Sequence, residues 1–193
     1  MAKKRTNSEQ SKEAIVQAAE ALVRRRAATG VTVDQVAKEA GCAKGLVHYH
    51  FKTKRGVLEA VAENLAATRQ ANWVAAFSAP DARTAIDQTW TLLTNESDDG
   101  TILAWNSIFG PGKVIPGNLV SQVQRSFAAA LGDSAYRLLR DAALVPRIPP
   151  AEIGWLLGSI VHGMGYQVLS GADRSEIEGA YAAAWLGILS LAT

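Results

Sequence analysis

The sequence predicts an all-α protein of about nine helices, with a three-helix N-terminal domain followed by a larger helical domain. Apolar residues recur at intervals of three and four along most of the chain, and the alternation that is typical of strands is nearly absent. Glycine, proline and capping residues divide the chain into segments of helical length. Hydrophobic residues make up 48% and charged residues 20% of the chain, which is a globular composition.

The first three helices are predicted to be one long helix and two short ones. The first, from Ser8 to about Ala28, places on one face the apolar residues Ile15, Ala18, Ala19, Leu22 and Val23. A short helix then begins at Thr32, which forms a capping box with the residue three positions on, Gln35. Gly41 ends it in a tight turn, and the third helix covers about 43–50.

The remaining helices follow a second cap at Thr53. A fourth helix is predicted from Lys54 towards Phe77. Five more are expected near 80–95, 101–109, 118–144, 150–170 and 174–192. We therefore predict a three-helix domain in residues 1–54, a connecting helix over 54–77, and a second domain over 55–193.

Charge is distributed unevenly along the chain. Residues 1–60 contain twelve Lys and Arg against six Asp and Glu, whereas residues 61–193 contain eight against twelve. A basic first part favours a polyanionic partner for it. The single cysteine, Cys42, cannot form an internal disulfide, and no apolar run reaches the roughly 20 residues that span a bilayer. We expect a cytoplasmic protein with no membrane partner.

The stretch "GCAKGLVHYHF" (residues 41–51) allows three interpretations: a metal site, an active site or a polar recognition surface. His48 and His50 are two residues apart on a predicted helix and do not share a face, which argues against a shared metal. The only other histidine is His162, and Cys42 has no evident base partner. We therefore expect no metal, no cofactor and no enzyme activity.

The third interpretation fits the spacing, because two short helices joined by a glycine turn form a helix-turn-helix. Val47 and Phe51 are four residues apart and would pack inward on the preceding helix. Four other positions of this helix would face outward, where they can reach phosphates or base edges. These outward positions are Lys44, Gly45, His48 and Tyr49.

The segment "TVDQVAKEAGCAKGLVHYHFKTKRGVL" (residues 32–58) resembles the DNA-binding core of the TetR family of bacterial repressors. The resemblance implies that Thr32 and Tyr49 hold phosphates together with His50, that Lys44 and Gly45 meet bases or backbone, and that Lys54 meets a further phosphate. Two positions depart from the family pattern: Ala43 stands where a serine is frequent, and His48 where a tyrosine is usual. Lys3, Lys4 and Arg5 could add an arm along the DNA.

The last two predicted helices are apolar nearly all round, so each must be covered on more than one side. In so short a chain we expect the second side to be another subunit, and the resemblance implies a homodimer formed through these helices. Pairs of small residues four apart would let the backbones approach closely. These pairs are Gly154 with Gly158 and Ala180 with Ala184.

The middle helices are expected to enclose a small-molecule effector, because they carry aromatic residues together with a few polar groups. Taken singly, each of these residues fits plain core better than an effector contact. The candidate effector-binding residues are Trp73, Trp105, Asn106, Phe109, His162 and Tyr166.

The predicted function is that of a bacterial, ligand-responsive homodimeric repressor, released by its effector from a near-palindromic double-stranded DNA operator. Two alternatives stay open from the sequence. The same DNA-binding domain could serve an activator or a regulator that needs no ligand. The chain could also be a helical enzyme or ligand-binding module with no sequence-selective affinity for DNA.

Overall fold

The computed structural model describes residues 7–112 and 114–192, and within these ranges it confirms the all-α class. The proposed arm of Lys3, Lys4 and Arg5 lies outside the described residues. The described part of the chain forms nine α-helices: α1 Asn7–Arg26, α2 Val33–Glu39, α3 Lys44–Phe51, α4 Lys54–Phe77, α5 Ala82–Asp98, α6 Thr101–Phe109, α7 Gly117–Asp141, α8 Pro150–Leu169 and α9 Arg174–Leu189.

The helices form two compact units. The first extends to Leu65 and also contains Leu103–Gly117, so it holds α1 to α3, the first half of α4 and most of α6. The second contains Ala66–Ile102 and Asn118 onward, which is the rest of α4 with α5 and α7 to α9. The sequence had predicted a division at residue 54, with α6 in the second domain.

In the first unit, α1, α2 and α3 pack on one another around side chains that are 4% exposed or less, including Leu22, Val36, Ala37 and Val47. The 3-10 turn Ala28–Gly30 follows α1. The Ala28 N–H donates to Ser107 Oγ of α6 over 3.0 Å. This hydrogen bond attaches the end of α1 to α6, although the two are far apart in sequence.

In the second unit, α8 packs on both α5 and α9 and crosses α7 with the backbones in contact. A Cβ added at Gly154 would lie 1.9 Å from the Ala128 carbonyl oxygen, and one at Gly132 would lie 2.0 Å from the Pro150 oxygen. Real side-chain carbons never approach so closely, so both positions require glycine. The pair Gly132 and Gly154 sets the distance between α7 and α8.

The end of α7 comes three residues earlier than predicted. Ala143 has φ +61°, which stops the helix, and the Leu144 N–H turns back to the Leu139 carbonyl over 2.9 Å. The following loop is held near the C-terminus because the Arg147 N–H donates to the Leu191 carbonyl at 2.8 Å. Among the described residues, none of the helices combines the length and apolar character that crossing a bilayer would need.

Candidate DNA-binding surface and effector site

The α2–α3 segment is held by local hydrogen bonds that the sequence predicts. Thr32 caps α2: the Gln35 N–H donates to Thr32 Oγ1 at 3.3 Å, and the Thr32 N–H donates to Gln35 Oε1 at 2.9 Å. Gly41 adopts φ +63° in the turn, a left-handed conformation that glycine tolerates best. The Cys42 N–H then donates to the Ala37 carbonyl at 2.9 Å. These contacts confirm the predicted capping box and glycine turn.

The inner face of α3 anchors the helix, and the outer face is open. Val47 is 1% exposed and Phe51 is 9% exposed, as the four-residue spacing predicts. The Lys12 ammonium lies 5.8 Å from the centre of the Phe51 ring, a cation–π contact from α1. By contrast, Tyr49 is 72% exposed, and Lys44, Gly45 and His48 are exposed as well. The apolar positions thus anchor the helix, while its polar positions reach solvent.

Two further predicted contacts occupy the ends of α3. Ala43 precedes the helix without a side-chain cap, as expected for an alanine at that position. His50 is half-buried, and its ring lies edge-on to the Tyr49 ring with the centres 5.1 Å apart. Lys54, also half-buried, donates from Nζ to the Thr29 carbonyl at 3.2 Å. Lys54 therefore reaches the surface while bonded to the rest of the first unit, whereas His50 Nε2 is buried and has no hydrogen-bond partner among the described residues.

The sequence pattern did not indicate one charged residue on this surface. Asp34, in the first turn of α2, places Oδ1 2.8 Å from Lys44 Nζ, and both side chains are more than half exposed. An acidic residue in the first turn is ordinary for any helix, because it interacts favourably with the helix dipole. Because this role is general, it does not indicate the specific pairing with Lys44, which depends on how α2 and α3 cross.

The predicted effector residues are divided between the two units. Trp105, Asn106 and Phe109 belong to the first unit, where the Trp105 and Phe109 rings lie 4.3 Å apart and both are buried. Trp73 and His162 belong to the second unit. The structure therefore does not gather the six residues into one described cluster.

Trp73 and His162 meet around Phe127. The Phe127 ring lies 6.4 Å from the Trp73 ring and is stacked 5.6 Å from the His162 ring. The Arg69 guanidinium lies 5.0 Å from the centre of the same Phe127 ring. Burial, and secondly the charge of Arg69, lower the pKa of His162 to about 3. At physiological pH this imidazole is neutral, so it can donate one hydrogen bond and accept another.

A buried ion pair accompanies this cluster. Arg69 Nε donates to both oxygens of Glu96, at 3.0 and 2.9 Å, and the Trp73 indole N–H donates to Glu96 Oε1 at 3.0 Å. All three residues are at most 4% exposed. A buried charged pair costs desolvation energy and persists where its hydrogen bonds are satisfied. Neither Arg69 nor Glu96 was predicted, because the partners are 27 residues apart.

Space remains beside α8 next to this cluster. Gly158 is buried, yet a Cβ added there would meet no atom within 4 Å. Gly158 is one helical turn before His162 on α8. Two surface clefts, of about 320 and 230 Å³, lie elsewhere in the second unit, and neither is lined by a predicted effector residue.

Tyr166 and Gly154 occupy different places from those predicted. Tyr166 is 60% exposed, so it faces outward from the second unit rather than into its interior. Gly154 packs against α7 of its own chain, and Gly158 is also buried, so these two glycines do not lie on the exposed face of α8. On α9, Ala180 is exposed and Ala184 is half-buried. The outer faces of α8 and α9 carry larger apolar side chains instead: Trp155, Leu156, Tyr166 and Leu186.

Comparison with known proteins agrees with this architecture. Residues 15–61 match the model for bacterial regulatory proteins of the tetR family. A TetR-family transcriptional regulator from Pectobacterium atrosepticum superposes with a TM-score of 0.74 at 17% identity, covering 99% of this chain and 98% of that chain. A structure assigned to the same family from Rhodococcus sp. gives 0.77 at 18% identity, covering 94% and 99%.

The reduced form of NemR from Escherichia coli gives a TM-score of 0.74 at 15% identity, covering 95% of this chain and 97% of that chain. At these identities the solved structures establish the fold. No match was found among the curated proteins. The described residues contain no group of three or more His, Cys, Asp or Glu side chains that could hold a metal ion.

Proposed function

This chain belongs to the tetR family of DNA-binding transcriptional regulators, and on that premise we propose that it is a homodimeric repressor released from its operator by a small-molecule effector. Members of this family are transcription factors and not enzymes. The proposal rests chiefly on one observation, the outer face of α3. There, Lys44, His48 and Tyr49 are exposed, whereas the anchors Val47 and Phe51 are buried.

The outer face of α3 supports a contact with DNA because its groups match those that duplex DNA offers. An ammonium and a phenol donate hydrogen bonds to phosphate oxygens and to base acceptors. Thr32 precedes α2 and Lys54 begins α4, so the two residues flank α3 in the chain. The start of a helix is a place where DNA phosphates can be bound. Gly45 is exposed and would let the DNA backbone approach α3 closely. His48, which is exposed, adds a ring N–H donor.

The second unit supports dimerisation through α8 and α9. Trp155 is 50% exposed, Tyr166 60% and Leu186 68%, and these are large apolar groups on two helices that pack on each other. Exposed apolar patches of this kind mark interaction sites in regulatory proteins. A two-fold dimer would present two copies of α3 and therefore require a near-palindromic operator.

The effector is proposed to bind in the interior of the second unit, near Phe127, Trp73 and His162. The free space at buried Gly158 and the neutral imidazole of His162 favour an uncharged or weakly polar molecule with aromatic character. Release follows if the effector binds more tightly to a dimer whose recognition helices do not fit successive grooves. We place this activity in the cytoplasm.

The experiment that tests the function is selection of DNA from a random duplex pool by the purified protein, followed by band-shift assays on the enriched sequence. We expect enrichment of a near-palindromic site, with affinity that falls steeply as salt rises because phosphate contacts release counterions. A reporter gene under that site should be repressed by the protein in cells. Enrichment of no sequence would contradict the proposal, and increased reporter expression would favour an activator.

A further inference from the structure

Asp34 lies on the proposed recognition surface, beside Lys44. It follows the cap Thr32 by two positions, and its carboxylate contacts Lys44 Nζ through both oxygens, at 2.8 and 3.1 Å. Its side chain is 69% exposed and that of Lys44 is 54% exposed. The start of α2 is already capped by Thr32 and Gln35. An ion pair this exposed contributes little to stability.

A carboxylate on a DNA-contacting surface is repelled by phosphates. With Asp34 beside it, Lys44 forms a pair with no net charge, and the pair gains little from the sequence-independent attraction to the phosphate backbone. A carboxylate is useful in the major groove, however, because it accepts a hydrogen bond from the amino group of cytosine. Lysine donates to the O6 and N7 atoms of guanine.

We propose that Asp34 is a specificity-determining residue that reads, together with Lys44, the major-groove edge of one G·C pair in each half-site. The inference rests on the proposed recognition surface. Lys44 donates to guanine O6, and Asp34 accepts from cytosine N4. Those two base atoms are joined by a hydrogen bond and lie about 3 Å apart, close to the spacing of the ion pair.

The geometry favours G·C over A·T. Lys44 is the first residue of α3, and the N-terminal residues of a recognition helix are those that contact base edges. Guanine offers a lysine two acceptors, whereas thymine offers one acceptor with a methyl group beside it. At a phosphate, Lys44 would find an acceptor while Asp34 would be repelled. The pair therefore binds best where the two acceptors of guanine stand beside the amino group of cytosine.

The test compares Asp34→Ala and Asp34→Asn with a matched control, Glu39→Gln. Glu39 is on the same helix and also forms an exposed ion pair, with Arg25 at 2.7 Å, but at the opposite end of α2. DNA selected from a random pool by the unaltered protein is compared with a scrambled duplex of equal length and composition. For Asp34→Ala we expect scrambled-duplex affinity to rise about 3- to 10-fold and the G·C preference to be lost.

Asp34→Asn should raise scrambled-duplex affinity by the same amount, because it also removes the charge, and Glu39→Gln should leave the ratio of selected to scrambled affinity within about twofold of the parent. The inference is overturned if Asp34→Ala enriches the same sequence with an unchanged ratio, or if Glu39→Gln lowers the ratio equally. If the unaltered protein enriches no sequence, the proposed function fails and this inference with it. Unchanged melting temperatures of all three variants serve as the folding check.

Discussion

At the scale of single residues, Tyr49 and Lys44 are exposed side chains with no core to support, so their loss should affect binding and not folding. We predict that Tyr49→Phe weakens operator binding about 3- to 10-fold, since it removes one phosphate hydrogen bond while keeping the ring. Lys44→Ala should weaken binding more, because it also leaves the Asp34 carboxylate unpaired beside the DNA. Band-shift titration measures both affinities, and thermal denaturation should give melting temperatures close to that of the parent. Parental affinity in both variants would contradict the assigned surface.

His162 should make the stability of the protein depend on pH. Its pKa is about 3 in the folded chain, against 6.5 in the unfolded chain, because burial and the Arg69 charge disfavour the imidazolium. The contribution of the neutral imidazole to the unfolding free energy is therefore complete above pH 6.5. It is lost as pH falls below 6.5, since the unfolded state then binds a proton that the folded state does not. We predict a loss of up to about 1.4 kcal/mol of unfolding free energy per pH unit between pH 6 and 4.5.

The measurement for His162 is urea denaturation at several pH values, with two variants. His162→Gln should flatten the dependence over pH 6 to 4.5. His48→Gln should leave it unchanged, because His48 is an exposed histidine on α3. An equal flattening in both variants, or a parental profile in His162→Gln, would count against the buried neutral imidazole.

At the scale of elements, two glycine-to-alanine substitutions on α8 test the crossing of α7 and α8, because we expect them to change stability in opposite directions. Gly154→Ala would push a Cβ into the Ala128 carbonyl, so the helices must separate, and we predict a loss of about 1–3 kcal/mol of stability. Gly158→Ala places the same atom in free space, and removing a mid-helix glycine should stabilise by about 0.5–1 kcal/mol. Chemical denaturation of the two variants beside the parent measures both. Destabilisation of equal size at both positions would argue against the close crossing.

The elements that the sequence predicted best are those fixed by neighbours in the chain. Thr32 with Gln35, and the turn at Gly41, involve residues a few positions apart, and the hydrogen bonds observed are the ones the pattern predicts. The Arg69–Glu96 pair could not be predicted, because it depends on how α4 and α5 pack. The same limit explains Tyr166, whose helix is apolar nearly all round, so that periodicity cannot distinguish its inner from its outer face.

At the scale of the whole molecule, a stable dimer would explain why α8 and α9 expose large apolar side chains. Leu186 is 68% exposed on α9, and a charge there would have to be buried without a partner if a second subunit covers it. We therefore predict that Leu186→Glu converts the dimer into a monomer at micromolar concentration. Light scattering coupled to size exclusion gives the mass, and affinity for the palindromic operator should fall to that for an isolated half-site.

Val145 provides the control, because it is 64% exposed but lies in the loop after α7 and not on α8 or α9. Val145→Glu introduces the same charge on an equally exposed apolar position and should leave both the mass and the operator affinity of the parent. If Leu186→Glu remained a dimer with parental affinity, α9 would not be the subunit interface. If both variants dissociated, the effect would reflect added charge in general, and the pairing of the recognition helices would need an explanation other than an interface on α9.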